Sequence, residues 1–220
     1  LQRGSAIDVS GGATVGPSGS VSGTAAGRIA LESSKAVAMT GDAIGEMHVG
    51  AAIAGYSMSQ GGSLRLRAAE IDIVPADTGA TLRNGASGSA RTLSDAFFAQ
   101  GGFASFDVEG AQRLQIHAGA QIAPRTDHWV ATPTSSSAAT STRAADHLQA
   151  QRLPDALRGA ANLSLSAGGL LLDGVEASGQ LTMEAGTRIA ADAGAKIKLS
   201  ANADLRVDGQ IDAAAGQVTL

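Results

Sequence analysis

An eight-residue unit recurs along the chain and constrains its fold more than any other feature. It is clearest between residues 181 and 209. Leu181, Met183, Ala185 and Gly186 are followed by Ile189, Ala191, Ala193 and Gly194, then Ile197, Leu199, Ala201 and Asn202, then Leu205, Val207, Gly209 and Gln210. The unit reads apolar, x, apolar, x, small, Gly or Asn, x, x. It returns at Ile7-Val9-Gly11, Ile29-Leu31-Ser33, Phe106-Val108-Gly110, Leu114-Ile116-Ala118 and Leu163-Leu165-Ala167, with partial copies at Met47-Val49 and Leu64-Leu66. Apolar-x-apolar is the two-residue alternation of a strand with one face inward. The small pair that follows turns the corner, because Gly and Asn tolerate positive φ and carry little bulk.

A strand of three or four residues is too short to stand alone. It becomes stable when the next turn of chain lays an equivalent strand beside it, about 4.8 Å away. The pattern therefore predicts an all-β chain, a right-handed parallel β-helix (solenoid) with an extra-helical insertion, the hand following from the rule for parallel crossovers. Copies start at 29, 47 and 64, and again at 163, 181 and 197, at nearly even intervals. So short an interval predicts coils of two or three short sides. At roughly 20 residues per coil, about eight coils make a rod near 40 Å long.

Composition agrees with a slim interior. The chain of 220 residues holds 45 Ala and 29 Gly but only six aromatic residues. A wide enzyme core needs more bulky side chains than this. The charge is mild, 16 basic against 20 acidic residues, with no basic run to suggest a nucleic-acid partner. Zero Cys excludes disulfides, thiolate catalysis and Cys-based zinc sites. No apolar stretch approaches the roughly 18 residues of a membrane-spanning helix.

Two places break the repeat and divide the chain. Residues 1–77 are expected to be β-helix coils, 78–105 an irregular Gly/Ser and Phe-rich break, and 106–122 coils again. Residues 123–161 form a Pro/Ser/Thr-rich insertion with a short helix expected over 143–153, and 162–220 close with coils. In the first break, Ser94 reads as the N-cap of a short helical turn. All four Phe lie there or just beyond, and Phe97, Phe98, Phe103 and Phe106 are expected to plug a packing gap. The alternative, an aromatic platform for a sugar, has the weaker claim. The insertion carries the candidate contact residues Trp129, His128, Asp127 and His147, since excursions from a repeat fold often bear its variable contacts.

Constellations for catalysis are sparse. His48 and His117 fall at outward strand positions, and His128 beside Asp127 reads as a surface pair. Asp8, Asp72, Asp107, Glu109, Glu184, Asp192 and Asp208 are scattered at positions expected to face outward or lie in turns. A carbohydrate-active β-helix needs carboxylates converging in one groove. The expectation is a chain with no catalytic, metal or cofactor residues, hence no enzyme.

Two stretches resemble the filamentous haemagglutinin-like exoproteins of bacterial two-partner secretion. One is Phe97-Phe98-Ala99-Gln100-Gly101-Gly102-Phe103, continuing through Leu114-Gln115-Ile116-His117-Ala118-Gly119-Ala120-Gln121-Ile122-Ala123-Pro124. The other is Ile197-Lys198-Leu199-Ser200-Ala201 with Leu205-Arg206-Val207-Asp208-Gly209-Gln210-Ile211 and Ala215-Gly216-Gln217-Val218-Thr219-Leu220. The resemblance covers most of residues 90–220 and implies a long right-handed β-helix exported unfolded through an outer-membrane transporter barrel. It further implies a structural or adhesive section, secreted or displayed on the bacterial surface. Its partners outside the cell would be a host-cell protein or glycan, or another bacterium. Related shafts also carry contact-dependent inhibition toxins or bind haem carriers. The amino-terminal secretion domain of the family is not recognisable, so the sequence reads as an internal stretch.

Overall fold

The computed structural model describes residues 5–16, 18, 20–33, 52–76, 90–133, 144–170 and 176–220. The chain is all-β, with no α-helix among the described residues. Nine strands join in one parallel sheet built around two long members, Gly62–Val74 and Phe103–Ile116. Their first halves pair with each other. Arg28–Ser33 flanks them on one side and Asn162–Ala167 on the other, and the stack runs on through Lys196–Ala201 to Gln217–Thr219. Their second halves pair onward through Gln180–Met183 to Asp204–Val207.

Between the halves the register steps from Ala68 opposite Gly110 to Glu70 opposite Arg113. One extra residue on the second strand makes a bulge, which bends it. A Cβ at Gly110 would run into the carbonyl oxygen of Arg113, so this bend requires glycine. A third face is a separate parallel sheet of Gln121–Ile122, Arg188–Ala191 and Gln210–Ala213. After Asn162 the chain visits the three faces in turn and returns beside its own starting strand.

Inward residues form columns along the stacking direction. Ile29, Leu64, Phe106, Leu163 and Ile197 stand in register, as do Leu66, Val108, Leu165 and Leu199. On the second face Ile71, Leu114 and Leu181 align, and Ile73, Ile116 and Met183 beside them; on the third, Ile122 meets Ile189. All of these are buried. The alternation read from the sequence is the cause, since every second side chain of a strand shares a face. Each fully buried Leu, Ile or Phe contributes about 1.5–3 kcal/mol of transfer free energy.

The spacing expectation fails. Leu163 pairs with Ile197 and not with Leu181. Leu181 instead lies between Leu114, from before the insertion, and Leu205. The copies at 163 and 181 are thus sides of one layer, with 189 on its third side, and only the copy at 197 begins the next layer. Six strands stack on the first face among the described residues, fewer than the eight coils expected. Near the start, Ala13–Val15 pairs antiparallel with Val21–Gly23 in a small hairpin, outside the parallel pattern. Met47, His48 and Val49 lie outside the described residues.

The break at 78–105 is not wholly irregular. Ala90–Ser94 is a strand, parallel to the Glu70–Val74 stretch and on its side away from Arg113–Ile116. Ser94 then caps a 3-10 turn, Asp95–Ala99, accepting from the Ala96 N–H at 3.3 Å. The strand Phe103–Ile116 begins inside the supposed break. In the insertion, the helix expected over 143–153 is only a 3-10 turn at Ala144–His147. Leu148–Gln151 is instead a strand, paired antiparallel with His128–Ala131. A ready-made partner strand outweighs the helix preference of Leu, Gln and Ala.

Candidate functional site

The root of the insertion gathers most of the chemistry that the sequence singled out. The chain leaves the stack after Ile122, climbs through Asp127 and the His128–Ala131 strand, and returns through Leu148–Gln151 to Asn162. Because consecutive strand residues point to opposite sides, His128 and Trp129 part company. Trp129 lies with its ring 4.9 Å from that of Tyr56, while its backbone N–H donates to the Ser57 carbonyl at 3.0 Å. His128 is 8% exposed, and its Nε2 is buried with no hydrogen-bond partner.

Asp127 does not pair with His128. Its carboxylate takes Arg152 Nε at 2.8 Å, and Arg152 also donates to the Ala99 carbonyl at 2.7 Å. The surface acid–imidazole pair read from the sequence is therefore absent. Burial pushes the Tyr56 phenol up, and the Asp127 carboxylate adds to the effect. His147 ends the 3-10 turn, and its carbonyl accepts from the Thr132 N–H at 2.8 Å, closing the ribbon.

Two pockets flank this root. The smaller, about 370 Å³, is lined by Tyr56, Phe97, Gln100 and Asp127 among others. The larger, about 500 Å³, lies on the His128 side, where the insertion leaves and rejoins the stack. Phe97 alone of the four Phe is only partly buried. Phe98, Phe103 and Phe106 are at most 1% exposed and meet edge to face, 5.4 Å between Phe98 and Phe106 and 6.0 Å between Phe103 and Phe106.

An ion pair missed by sequence reasoning fixes the returning limb. Arg158 grips Asp192 with Nε and Nη2 both at 2.6 Å, and the two side chains are 5% and 7% exposed. Arg125 Nε adds a contact at 3.3 Å, and Arg158 also holds Asp155 and the Leu153 carbonyl. Burial opposes ionisation of Asp192, but the Arg158 hydrogen bond and the Arg125 charge outweigh it and hold the carboxyl below its usual value. The Asp192 hydrogen bond raises the Arg158 guanidinium in turn. Asp192 follows a strand copy at a position the repeat reads as turn, which is why its burial was not expected.

The scattered carboxylates also sort into sets. Asp107 and Glu109 face Arg65 and Arg67, with Glu109 2.9 Å from Arg67 Nε and 3.1 Å from Arg65 Nη2. Asp72, mostly buried, belongs to the second face, where Arg113 reaches it at 2.7 Å. His117 stands between Asp72, 3.1 Å from its Nε2, and Glu184, 3.6 Å from its Nδ1. Hydrogen bonds from the Ala118 N–H and Gln115 hold the Glu184 carboxyl below the usual range. Among the described residues, no group of three His, Cys, Asp or Glu side chains is arranged to hold a metal ion. No helix there is long and apolar enough to cross a membrane. No family model matches the chain, nor does any curated protein or solved structure.

Proposed function

We propose that this chain is a section of a right-handed parallel β-helical shaft belonging to a large exported bacterial exoprotein of the filamentous haemagglutinin-like kind. Its work is mechanical and adhesive rather than chemical. Stacked layers hold a contact element away from the cell, and the β-ribbon carrying Trp129 is that element. The observation that carries the reading is the in-register parallel stacking of inward columns from Ile29 to Ile197, with one antiparallel ribbon pinned to the flank. Each layer stabilises its neighbour, so folding outside the cell favours passage of an unfolded, Cys-free chain through a transporter barrel.

The test compares binding of the fragment to host cells with that of a version whose residues 130–150 are replaced by a short Gly-Ser linker. This replacement spares Arg125, Arg152 and Arg158. Loss of binding by a variant that keeps its melting temperature supports the adhesive ribbon. Equal binding by both removes the ribbon from the contact, and binding by neither leaves a shaft without adhesive work.

One observation favours a second reading, a carbohydrate-active β-helix. Asp72 and Glu184 converge on His117 from neighbouring layers. Arg113, Gln115 and the Ala118 N–H already occupy their oxygens, which suits a structural bridge better than acid–base work. Cleavage of acidic or neutral polysaccharides that disappears in His117→Ala would establish the second reading.

A further inference from the structure

Arg28 stands apart from the other arginines. Each of the eight others whose side chains are described, from Arg65 to Arg206, lies within 3.3 Å of a carboxylate oxygen. Arg28 is exposed and has no such partner among the described residues. It opens a rung of outward side chains in which Arg28, Ser63, Ser105 and Asn162 stand in register across four strands. The Asn162 side-chain oxygen is taken by the Lys196 N–H at 2.9 Å. This rung carries no carboxylate. The next two rungs do, at Asp107 and at Glu32 and Glu109.

The rung floors the larger pocket. Thr126 and His128 wall it on the outgoing limb of the insertion, and Gly159 and Ala160 on the returning limb. Its volume of about 500 Å³ falls within the roughly 300–1,000 Å³ of small-molecule sites. The lining offers one guanidinium, several hydroxyls, side-chain amides and an imidazole, with neither a carboxylate nor a Phe, Tyr or Trp ring. A cation with no counter-charge among the described residues selects an anion, and the fork of a guanidinium matches a carboxylate. Hydroxyls both donate and accept, so they suit a polyhydroxylated ligand.

We infer that this pocket binds a sugar acid, its carboxylate on Arg28 and its hydroxyls on Ser63 and Ser105. The same chemistry reaches the pocket as a free monosaccharide acid or as one unit of an acidic glycan. The inference goes beyond the shaft reading and holds whether or not the ribbon is adhesive.

Calorimetric titration of the whole chain with galacturonate, trigalacturonate and galactose tests it. Galacturonate is expected to bind at least about tenfold more tightly than galactose, the cost of one lost charged contact. Arg28→Ala is expected to lose the same factor with an unchanged melting temperature, since Arg28 is exposed and supports no other side chain among the described residues. The His128 ring signals are expected to shift in NMR spectra on binding, because the residue lines the pocket. Tighter binding of the trimer identifies a glycan unit as the ligand, and equal binding a free acid. Equal affinity for galactose and galacturonate, unchanged binding by Arg28→Ala, or no saturation by either acid at about 10 mM, where a millimolar Kd would show, overturns the proposal.

Discussion

The clasp between Arg158 and Asp192 sets a sharp test of how the insertion is held. Removing one member of a buried ion pair costs about 3–5 kcal/mol, because the survivor is left as an uncompensated charge. The geometry distinguishes the two ways of breaking it. Arg158→Met leaves Asp192 with Arg125 still 3.3 Å away, so the loss belongs near 3 kcal/mol. Asp192→Asn leaves two neighbouring guanidiniums with only the exposed Asp155 as counter-charge to Arg158, which puts the loss near 5 kcal/mol. For a chain of this size, about 2–4 °C per kcal/mol translates these into melting temperatures lower by about 6–12 °C and 10–20 °C.

Thermal melts by circular dichroism measure both, and the double variant Arg158→Met/Asp192→Leu is expected to recover most of the loss. A pH series supplies the sign. The folded Asp192 carboxyl titrates below its ordinary value of 3.8, so its contribution is present above that pH and is lost as pH falls below it. The gap between wild type and Asp192→Asn therefore narrows in acid. Equal melting temperatures for wild type and both single variants near neutral pH would refute the clasp.

Two further outcomes test the stacking and the corner chemistry. Leu165→Ala, at a fully buried position in the middle of a column, is expected to cost about 2–5 kcal/mol by denaturant unfolding, whereas Val218→Ala, 45% exposed, costs under about 1 kcal/mol. Gly102 has φ +74° and a Cβ there would meet the Tyr56 ring and backbone, so Gly102→Ala is expected to destabilise by about 1–2 kcal/mol or more and to alter Trp129 fluorescence through its contact with Tyr56.

The alternation that marks Leu64, Leu66, Leu163, Leu165, Ile197 and Leu199 as inward is local, so a single sequence displays it. Which copies lie above which is not local. Leu181 finds Leu114 across the whole insertion because the intervening chain makes a ribbon and returns, and no periodicity records the length of that detour. The strand Leu148–Gln151 was hidden for a related reason: its preference was decided by a partner on the other limb of the insertion, beginning at His128. At the insertion root, His128 and Trp129 were conspicuous by chemistry, yet their opposite orientations emerge only once the strand forms. The pocket beside them was illegible, since its wall is mostly Gly, Ser and Ala drawn from separated segments. Arg28 looks ordinary in sequence and unusual only where every comparable arginine is paired.

The strand Ala90–Ser94 bears on a weakness of any stack of like columns. Where Leu, Ile and Val repeat along an axis, a shift by one layer exchanges equivalents for equivalents and costs little. Ala90–Ser94 breaks this translational symmetry, because it lies on the far side of Glu70–Val74, against the order of the chain. Phe106, with Phe98 packed against it, stands in a column whose other described members, Ile29, Leu64, Leu163 and Ile197, are aliphatic. A stack slipped by one place would set an aliphatic side chain against Phe98 where Phe106 now packs. The irregular stretch thus serves as an index mark, giving an otherwise repetitive body one permitted alignment.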